Sequence, residues 1–177
     1  MMAHKAIFLD RDGVINQAII KNGKPYPPSS ISELKIIAGV QEALQDLRVA
    51  GFLLILVTNQ PDVARGTTDK ATIEAINNAL MSQLPLDDVF VCYHDNRDRC
   101  NCRKPLPGLI LQAAAKYDIN LAASFMVGDR WQDIEAGKNA GCKTVWVNAG
   151  YDEPKPKSSP DFESSSLKDA VTLILAN

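Results

Sequence analysis

Phe52–Asn59 reads FLLILVTN, six apolar residues in a row with no polar alternation before Thr58. A strand with one wet face alternates apolar and polar residues. A run apolar on both faces belongs to a strand covered on both sides, the usual state of a parallel strand between helical layers. Shorter runs of strand type recur at Ala6–Asp10 (AIFLD), Val89–Tyr93 (VFVCY), Ser124–Asp129 (SFMVGD) and Thr144–Asn148 (TVWVN). Helix-like stretches separate them. Val40, Ala43, Leu44, Leu47 and Ala50 share one helical face, and Gly51 supplies a stop. Thr67–Leu84 carries Ile73, Ile76 and Leu80 on one stripe, Pro107 opens Leu109–Lys116, and Asp133–Ala140 is helical. Ser166–Ala176 closes the chain with Leu167, Val171, Ile174 and Leu175 inward. Five strands alternating with helices predict an α/β fold with a parallel sheet, right-handed crossovers and a ligand site beyond the carboxyl ends of the strands.

A length of 177 residues suits one domain, 1–177. About 45 residues separate Asp12 from Thr58, and a helix and a strand use half of them. No large cap domain fits there. Ile15–Ile37 contains NGKPYPPSS and predicts a loop or short hairpin over the site. Tyr151–Ser166 is rich in Pro, Ser and charge and predicts a loose surface loop. A net charge of −2 offers no field for nucleic acid or anionic membrane. No apolar run approaches the roughly 18–20 residues of a membrane span, and the N-terminal MMAHKAIFLD lacks a signal-peptide layout. The expected compartment is the reducing cytoplasm, where disulfides are disfavoured. A monomer is the default, since no apolar stripe is left over.

The strand ends carry the chemistry. Asp10 and Asp12 end the first strand in DRDG. This is either an acidic surface turn or a site in which one carboxylate attacks phosphorus and the second carries a proton to and from oxygen. Thr58 and Asn59 end the second strand, as a helix cap or as donors to phosphoryl oxygens. Arg103 and Lys104 follow the third strand, as a solvated pair or as cations on a phosphoryl group and on substrate. Asp129 and Arg130 follow the fourth, with Asp133 one helical turn on. Asp129 either caps that helix or binds Mg2+, supported by Asp133 through water or Lys104. All four groups on one sheet edge favour a phosphate site.

Cys92, His94, Cys100 and Cys102 lie within eleven residues. Three thiolates and one imidazole make a full tetrahedral set with no open position, which argues a structural Zn2+. The alternatives are free thiols or a disulfide. Such a zinc-binding loop, 92–102, positions the Arg103–Lys104 segment directly after its last ligand. Cys142 reads as a small buried apolar residue.

FLDRDGVIN, LVTNQPDVARG, CRKPLPG and VGDRWQDIEAG resemble the four motifs of the haloacid-dehalogenase (HAD) phosphohydrolases over roughly Lys5 to Asn148. DRDGVIN, TNQ…ARG and CxCRKPxPG are similar to the branch of heptose-bisphosphate and histidinol-phosphate phosphatases. The resemblance implies a three-layer, doubly wound sandwich with a five-stranded, mainly parallel sheet. It implies Asp10 as nucleophile, Asp12 as general acid/base, Thr58 and Lys104 as phosphoryl stabilisers, Arg103 as a substrate contact, and Mg2+ on Asp10, Asp129 and the backbone carbonyl of Asp12. Asn59 and Arg130 join the expected substrate contacts. The implied partner is a small phosphorylated metabolite. D-glycero-D-manno-heptose 1,7-bisphosphate losing its 7-phosphate comes first, with histidinol phosphate or another sugar phosphate as alternatives. A phosphotransferase or an inactive zinc-containing binding module is the remaining reading. The chain departs from the branch after motif one, where INQAIIKNGKPYPPSS lacks an acid near Gln17–Ile20, and at Pro61-Asp62.

Overall fold

The computed structural model describes residues 3–177. Strands β1 (Lys5–Leu9), β4 (Phe52–Asn59), β5 (Asp88–Cys92), β6 (Phe125–Gly128), β7 (Lys143–Val147) and β8 (Phe162–Ser164) form one sheet in the order β5-β4-β1-β6-β7-β8, every neighbouring pair parallel. A separate hairpin, β2 (Ile19–Lys21) and β3 (Lys24–Tyr26), occupies the segment expected to be a loop or hairpin. Helices α1 (Val40–Val49), α2 (Asp62–Arg65), α3 (Lys70–Gln83), α4 (Gly108–Tyr117), α5 (Trp131–Ala140) and α6 (Leu167–Leu175) connect the strands.

The period of two in β1 divides the core. Ile7 and Leu9 join Leu54 and Leu56, beneath Leu44 and Leu47 of α1 and Val171 and Ile174 of α6. Ala6 and Phe8 join Ile55 and Val57 on the other face, beneath Leu109 and Ala113 of α4 and Ala136 of α5. Leu54–Val57 are fully buried, each contributing about 1.5–3 kcal/mol of hydrophobic stabilisation. This explains the unbroken apolar run. Cys142 is 5 % exposed within the second cluster, as an apolar residue would be. Gly137 lets α5 lie against the sheet, because a Cβ there would stand 2.6 Å from Cβ of Met126. The chain reverses direction across the sheet between β1 and β6, so the ends of those strands make the crevice where α/β sheets bind ligands.

Two expectations are corrected. The sheet has six strands rather than five, and 151–166 is not a loose loop. Asp161 fastens it: its carboxylate accepts from Thr144 N (2.7 Å) and Oγ1 (2.9 Å), its N–H donates back to Thr144 Oγ1 (3.1 Å), and Lys138 lies 2.8 Å away. Ser158 likewise donates its N–H and hydroxyl to Glu135. These bonds seat β8 on the sheet edge and draw Tyr151 and Glu153 toward the strand ends.

Asp161→Ala leaves the Thr144 N–H without its acceptor. The expected loss is about 1–2 kcal/mol, read by urea unfolding, with amide exchange rising first in 160–166. Unchanged exchange there would show that β8 is held by other contacts.

Candidate active site

Lys104 organises the crevice. Its side chain is 3 % exposed, and its ammonium contacts Asp10 Oδ1 (2.8 Å), Asp133 Oδ1 (2.6 Å) and the Val57 carbonyl (2.8 Å). Burial works against the charged form, but the Asp10 and Asp133 carboxylates outweigh it, and the lysine pKa rises. Asn59, at the end of β4, clasps the lysine backbone: Nδ2 donates to Lys104 O and Oδ1 accepts from Lys104 N, both at 3.1 Å. The β4 terminus thereby sets where Lys104 stands. Asp133 lies in the first turn of α5, where its second oxygen accepts from Arg130 N at 3.0 Å and caps the helix. Burial and the Asp10 charge push the Asp133 carboxyl up to about 6, against the pull of Lys104.

Asp129 is different. It follows β6, is 3 % exposed, and both carboxylate oxygens are buried with no hydrogen-bond partner. Burial, then the charges of Asp10 and Asp133, push its pKa well up, against a smaller pull from the nearby Tyr151 hydroxyl, which makes no well-formed hydrogen bond to it. Oxygens of Asp10, Asp129 and Asp133 all lie within 4.8 Å of one another. Three buried carboxylates against one ammonium leave a negative excess, and two oxygens lack donors. The residues present therefore fit a hard divalent cation. Gly13 (φ 94°) permits the approach, since a Cβ there would collide with the Asp129 carboxylate.

Asp12 points elsewhere and is held by four donors. Oδ1 accepts from Arg11 Nε (3.1 Å) and Asn16 Nδ2 (3.0 Å), and Oδ2 accepts from Arg11 Nη2 (3.1 Å) and Gln60 Nε2 (2.9 Å). Its carboxylate stands outside the Asp10–Asp129–Asp133 cluster; Asp133 takes the third place. Thr58 is 1 % exposed and its hydroxyl accepts from Gln60 Nε2 at 2.9 Å, which leaves its own proton free to donate. Arg11, Asn16 and Gln60 were absent from the expected site. A readable signal existed only for Gln60, a polar residue continuing the strand-end motif.

The cleft above this floor is walled by Lys24 and Tyr26 of the hairpin, Arg65, Arg130 and Glu153. Arg130 forks onto Glu153, with Nε 2.8 Å from Oε2. Arg103 does not line this cleft. It donates to Asn96 Oδ1 (2.9 Å) and the His94 carbonyl (3.4 Å) and faces a neighbouring depression with Asp95 and Leu106.

Cys92, His94, Cys100 and Cys102 converge at the end of β5. Cys92 Sγ is 3.1 Å from Cys102 Sγ, 3.7 Å from Cys100 Sγ and 3.6 Å from His94 Nδ1, and His94 Nδ1 is 3.3 Å from Cys102 Sγ. Ligands about 2.3 Å from a common centre stand about 3.7 Å apart in a tetrahedron, so the cluster can bind a metal. Burial alone would raise the Cys100 thiol, but the N–H groups of Arg103 and Cys102 outweigh it and lower the pKa to about 7. Arg65 ties the loop to α2 through Asp95, Nη2 to Oδ1 at 2.8 Å.

A family profile described as HAD-hydrolase-like matches residues 101–170. The chain is 40 % identical to D-glycero-beta-D-manno-heptose-1,7-bisphosphate 7-phosphatase of Pasteurella multocida, over 96 % of each chain. It is 35 % identical to the Escherichia coli K12 protein of the same name, over 93 % of this chain and 90 % of that one. The crystal structure of D,D-heptose 1.7-bisphosphate phosphatase from B. bronchiseptica, complexed with magnesium and phosphate, superposes with a TM-score of 0.78 at 32 % identity, covering 97 % of this chain and 98 % of the other. Fold, site and relatives together define a HAD-like phosphoric monoester hydrolase. Within that class the chain belongs to the D-glycero-beta-D-manno-heptose-1,7-bisphosphate 7-phosphatase family.

Asn59→Ala releases the Lys104 backbone. The expected result is a fall in kcat of about 10–100-fold from a displaced ammonium, with KM changed far less. A change confined to KM would place Asn59 on the substrate instead.

Proposed function

We propose that this chain hydrolyses the 7-phosphate of D-glycero-beta-D-manno-heptose 1,7-bisphosphate, with Mg2+ held by Asp10 and Asp129. The observation that carries the reading is the buried Asp129 carboxylate with both oxygens unpartnered beside Asp10. The printed names of the relatives supply the substrate. When bound, Mg2+ supplies positive charge against the phosphoryl oxygens.

Lys104 holds one Asp10 oxygen at 2.8 Å and leaves the other to attack. An Asp10 oxygen bonds to phosphorus while the bond from phosphorus to the sugar oxygen breaks, and Asp12 delivers a proton to that oxygen. Water then attacks the aspartyl phosphate, Asp12 takes the water proton, and the bond to Asp10 breaks. Phosphate leaves with Asp10 restored. The Thr58 hydroxyl and the Lys104 ammonium, both buried at the strand ends, stabilise the charge on the transferring group. Arg130, and Arg103 from the loop side, serve the remainder of the substrate, while Asn59 acts through the Lys104 backbone. The chain works as one catalytic domain in the cytoplasm, and the Cys92–His94–Cys100–Cys102 loop carries a structural Zn2+ that fixes the approach to Lys104.

Phosphate release with Mg2+ is the test, comparing heptose 1,7-bisphosphate, histidinol phosphate and fructose 1,6-bisphosphate. A kcat/KM lead of about 100-fold for the heptose, about 2.7 kcal/mol, is expected, and Asp10→Asn abolishes turnover of all three. A flat profile would reject the substrate; an active Asp10→Asn would reject the nucleophile.

Freshly purified protein is expected to hold one zinc per chain. Its removal by a thiol-directed reagent should lower kcat with Mg2+ in excess, because the segment leading to Lys104 loses its anchor. Metal analysis finding no zinc in active enzyme would exclude the structural role.

A further inference from the structure

Arg11 is the largest fully buried side chain among the described residues, at 0 % exposure. A guanidinium removed from water is costly unless its charge and donors are met. Its charge is met by Asp12, through the two parallel bonds from Nε and Nη2. Its third nitrogen is met by one side chain from far along the chain: Nη1 donates to Asn77 Oδ1 at 2.8 Å. Asn77 is itself 5 % exposed and lies on the core-facing stripe of α3 with Ile73, Ile76 and Leu80. A buried amide on an apolar stripe weakens the core unless it meets a polar partner, and here the partner is Arg11. The backbone side of Arg11 is fixed too, since its carbonyl accepts from Ile15 N (2.9 Å) and Asn16 N (3.2 Å).

The guanidinium is therefore held from both ends and cannot rotate without orphaning a buried donor. A bidentate fork fixes the plane of the carboxylate it grips. Asn16 and Gln60 add one donor to each oxygen of that carboxylate, and among the described residues the Arg11 fork is the only partner that grips both oxygens at once.

We propose that Asn77 is a positioning residue for the reaction: it fixes the Arg11 guanidinium, and Arg11 in turn fixes the direction in which Asp12 presents its carboxyl to the leaving oxygen. This rests on the reading of Asp12 as proton carrier. The role predicts a particular kinetic signature. Departure of a sugar alkoxide needs the proton, whereas departure of p-nitrophenolate needs little help. kcat/KM reports the steps up to that departure, so the two substrates separate misdirected proton delivery from general damage to the site.

The experiment measures kcat/KM for the sugar bisphosphate and for p-nitrophenyl phosphate, with Mg2+, in the wild type, Asn77→Ala, Asn77→Asp and Asp12→Asn. Asn77→Ala is expected to lose about 10–100-fold on the sugar ester and less than about threefold on the aryl ester. Asn77→Asp keeps an acceptor oxygen facing Arg11 and is expected to restore the sugar ester to within about threefold of wild type. Equal losses on both esters, no loss on either, or failure of Asn77→Asp to restore would overturn the proposal. Asp12→Asn tests the underlying reading separately: if it shows no preference between the esters, the proton-carrier role fails. If it shows the preference and Asn77→Ala does not, only the Asn77 role fails. Should Asn77→Ala not fold, Arg11→Lys decides, because it keeps the charge and loses the fork. The same selective loss is then expected, and an unselective one overturns the proposal.

Discussion

The Lys104 ammonium, wedged between Asp10 and Asp133 and capped by the Val57 carbonyl, is the contact on which the rest of the site depends. Three buried carboxylates cannot share one crevice without a cation among them, and Lys104 supplies one permanent charge. Removing it would leave uncompensated charge in the sheet switch point rather than a solvated surface. Its position is over-determined by elements distant in sequence: Asn59 from β4 holds its backbone, Asp133 from α5 its ammonium, and the Cys/His loop ends two residues before it. Sheet, helix and loop thus converge on one side chain, and the loop has a mechanical reason to be rigid.

Four aspartates in this crevice share one chemistry and have different surroundings. Asp12 has four donors, Asp10 and Asp133 share the lysine, and Asp129 has none. Hydrogen-bond supply separates their roles more clearly than sequence position does. A carboxylate gripped by an Arg fork is oriented, one sharing a cation keeps an oxygen for attack, and one with no well-formed hydrogen bond invites a metal. The pair one residue apart in DRDG is tolerated because β1 ends at Leu9 and the chain turns directly after it, so that Asp10 joins the lysine while Asp12 turns toward Arg11 and Gln60.

The main strands were legible because burial on both faces leaves an unbroken apolar signature, and the strand-end motifs were legible because a parallel sheet places them together. β8 was not, since three residues, FES, between Pro, Asp and Ser carry no periodicity. They are a strand because Asp161 and Thr144 exchange hydrogen bonds, a tertiary fact. Arg103 read as a cleft residue through its neighbour Lys104, but Asn96 and the His94 carbonyl draw it to the loop side. Arg11 was hidden for a related reason: no pattern marks an arginine for the core, and an Arg between two Asp looks like a wet turn. Asn77 did leave a trace. Ile73, Ile76, Asn77 and Leu80 follow i, i+3, i+4, i+7, so the asparagine occupies a core position. A polar residue there implies a buried partner, though not which one.

An uncapped site must recognise its substrate with the rim it has. Here the rim arginines are organised before any ligand arrives. Arg65 is forked onto Asp95, with Asp62 also in reach, and Arg130 is forked onto Glu153. Such pairs add little stability when exposed. Their value is that the long side chains lose their rotamer freedom on folding rather than on binding, which lowers the entropic cost of gripping an anionic sugar. Lys24, on the hairpin, forms no ion pair among the described residues, and with Tyr26 it stands at the cleft wall in the segment after the first strand-end motif. The reacting phosphoryl group thus meets a floor fixed by buried charge, while the rest of the substrate meets a rim of paired arginines and one free lysine. That division lets the hairpin sequence change without disturbing Asp10, Asp129 or Lys104.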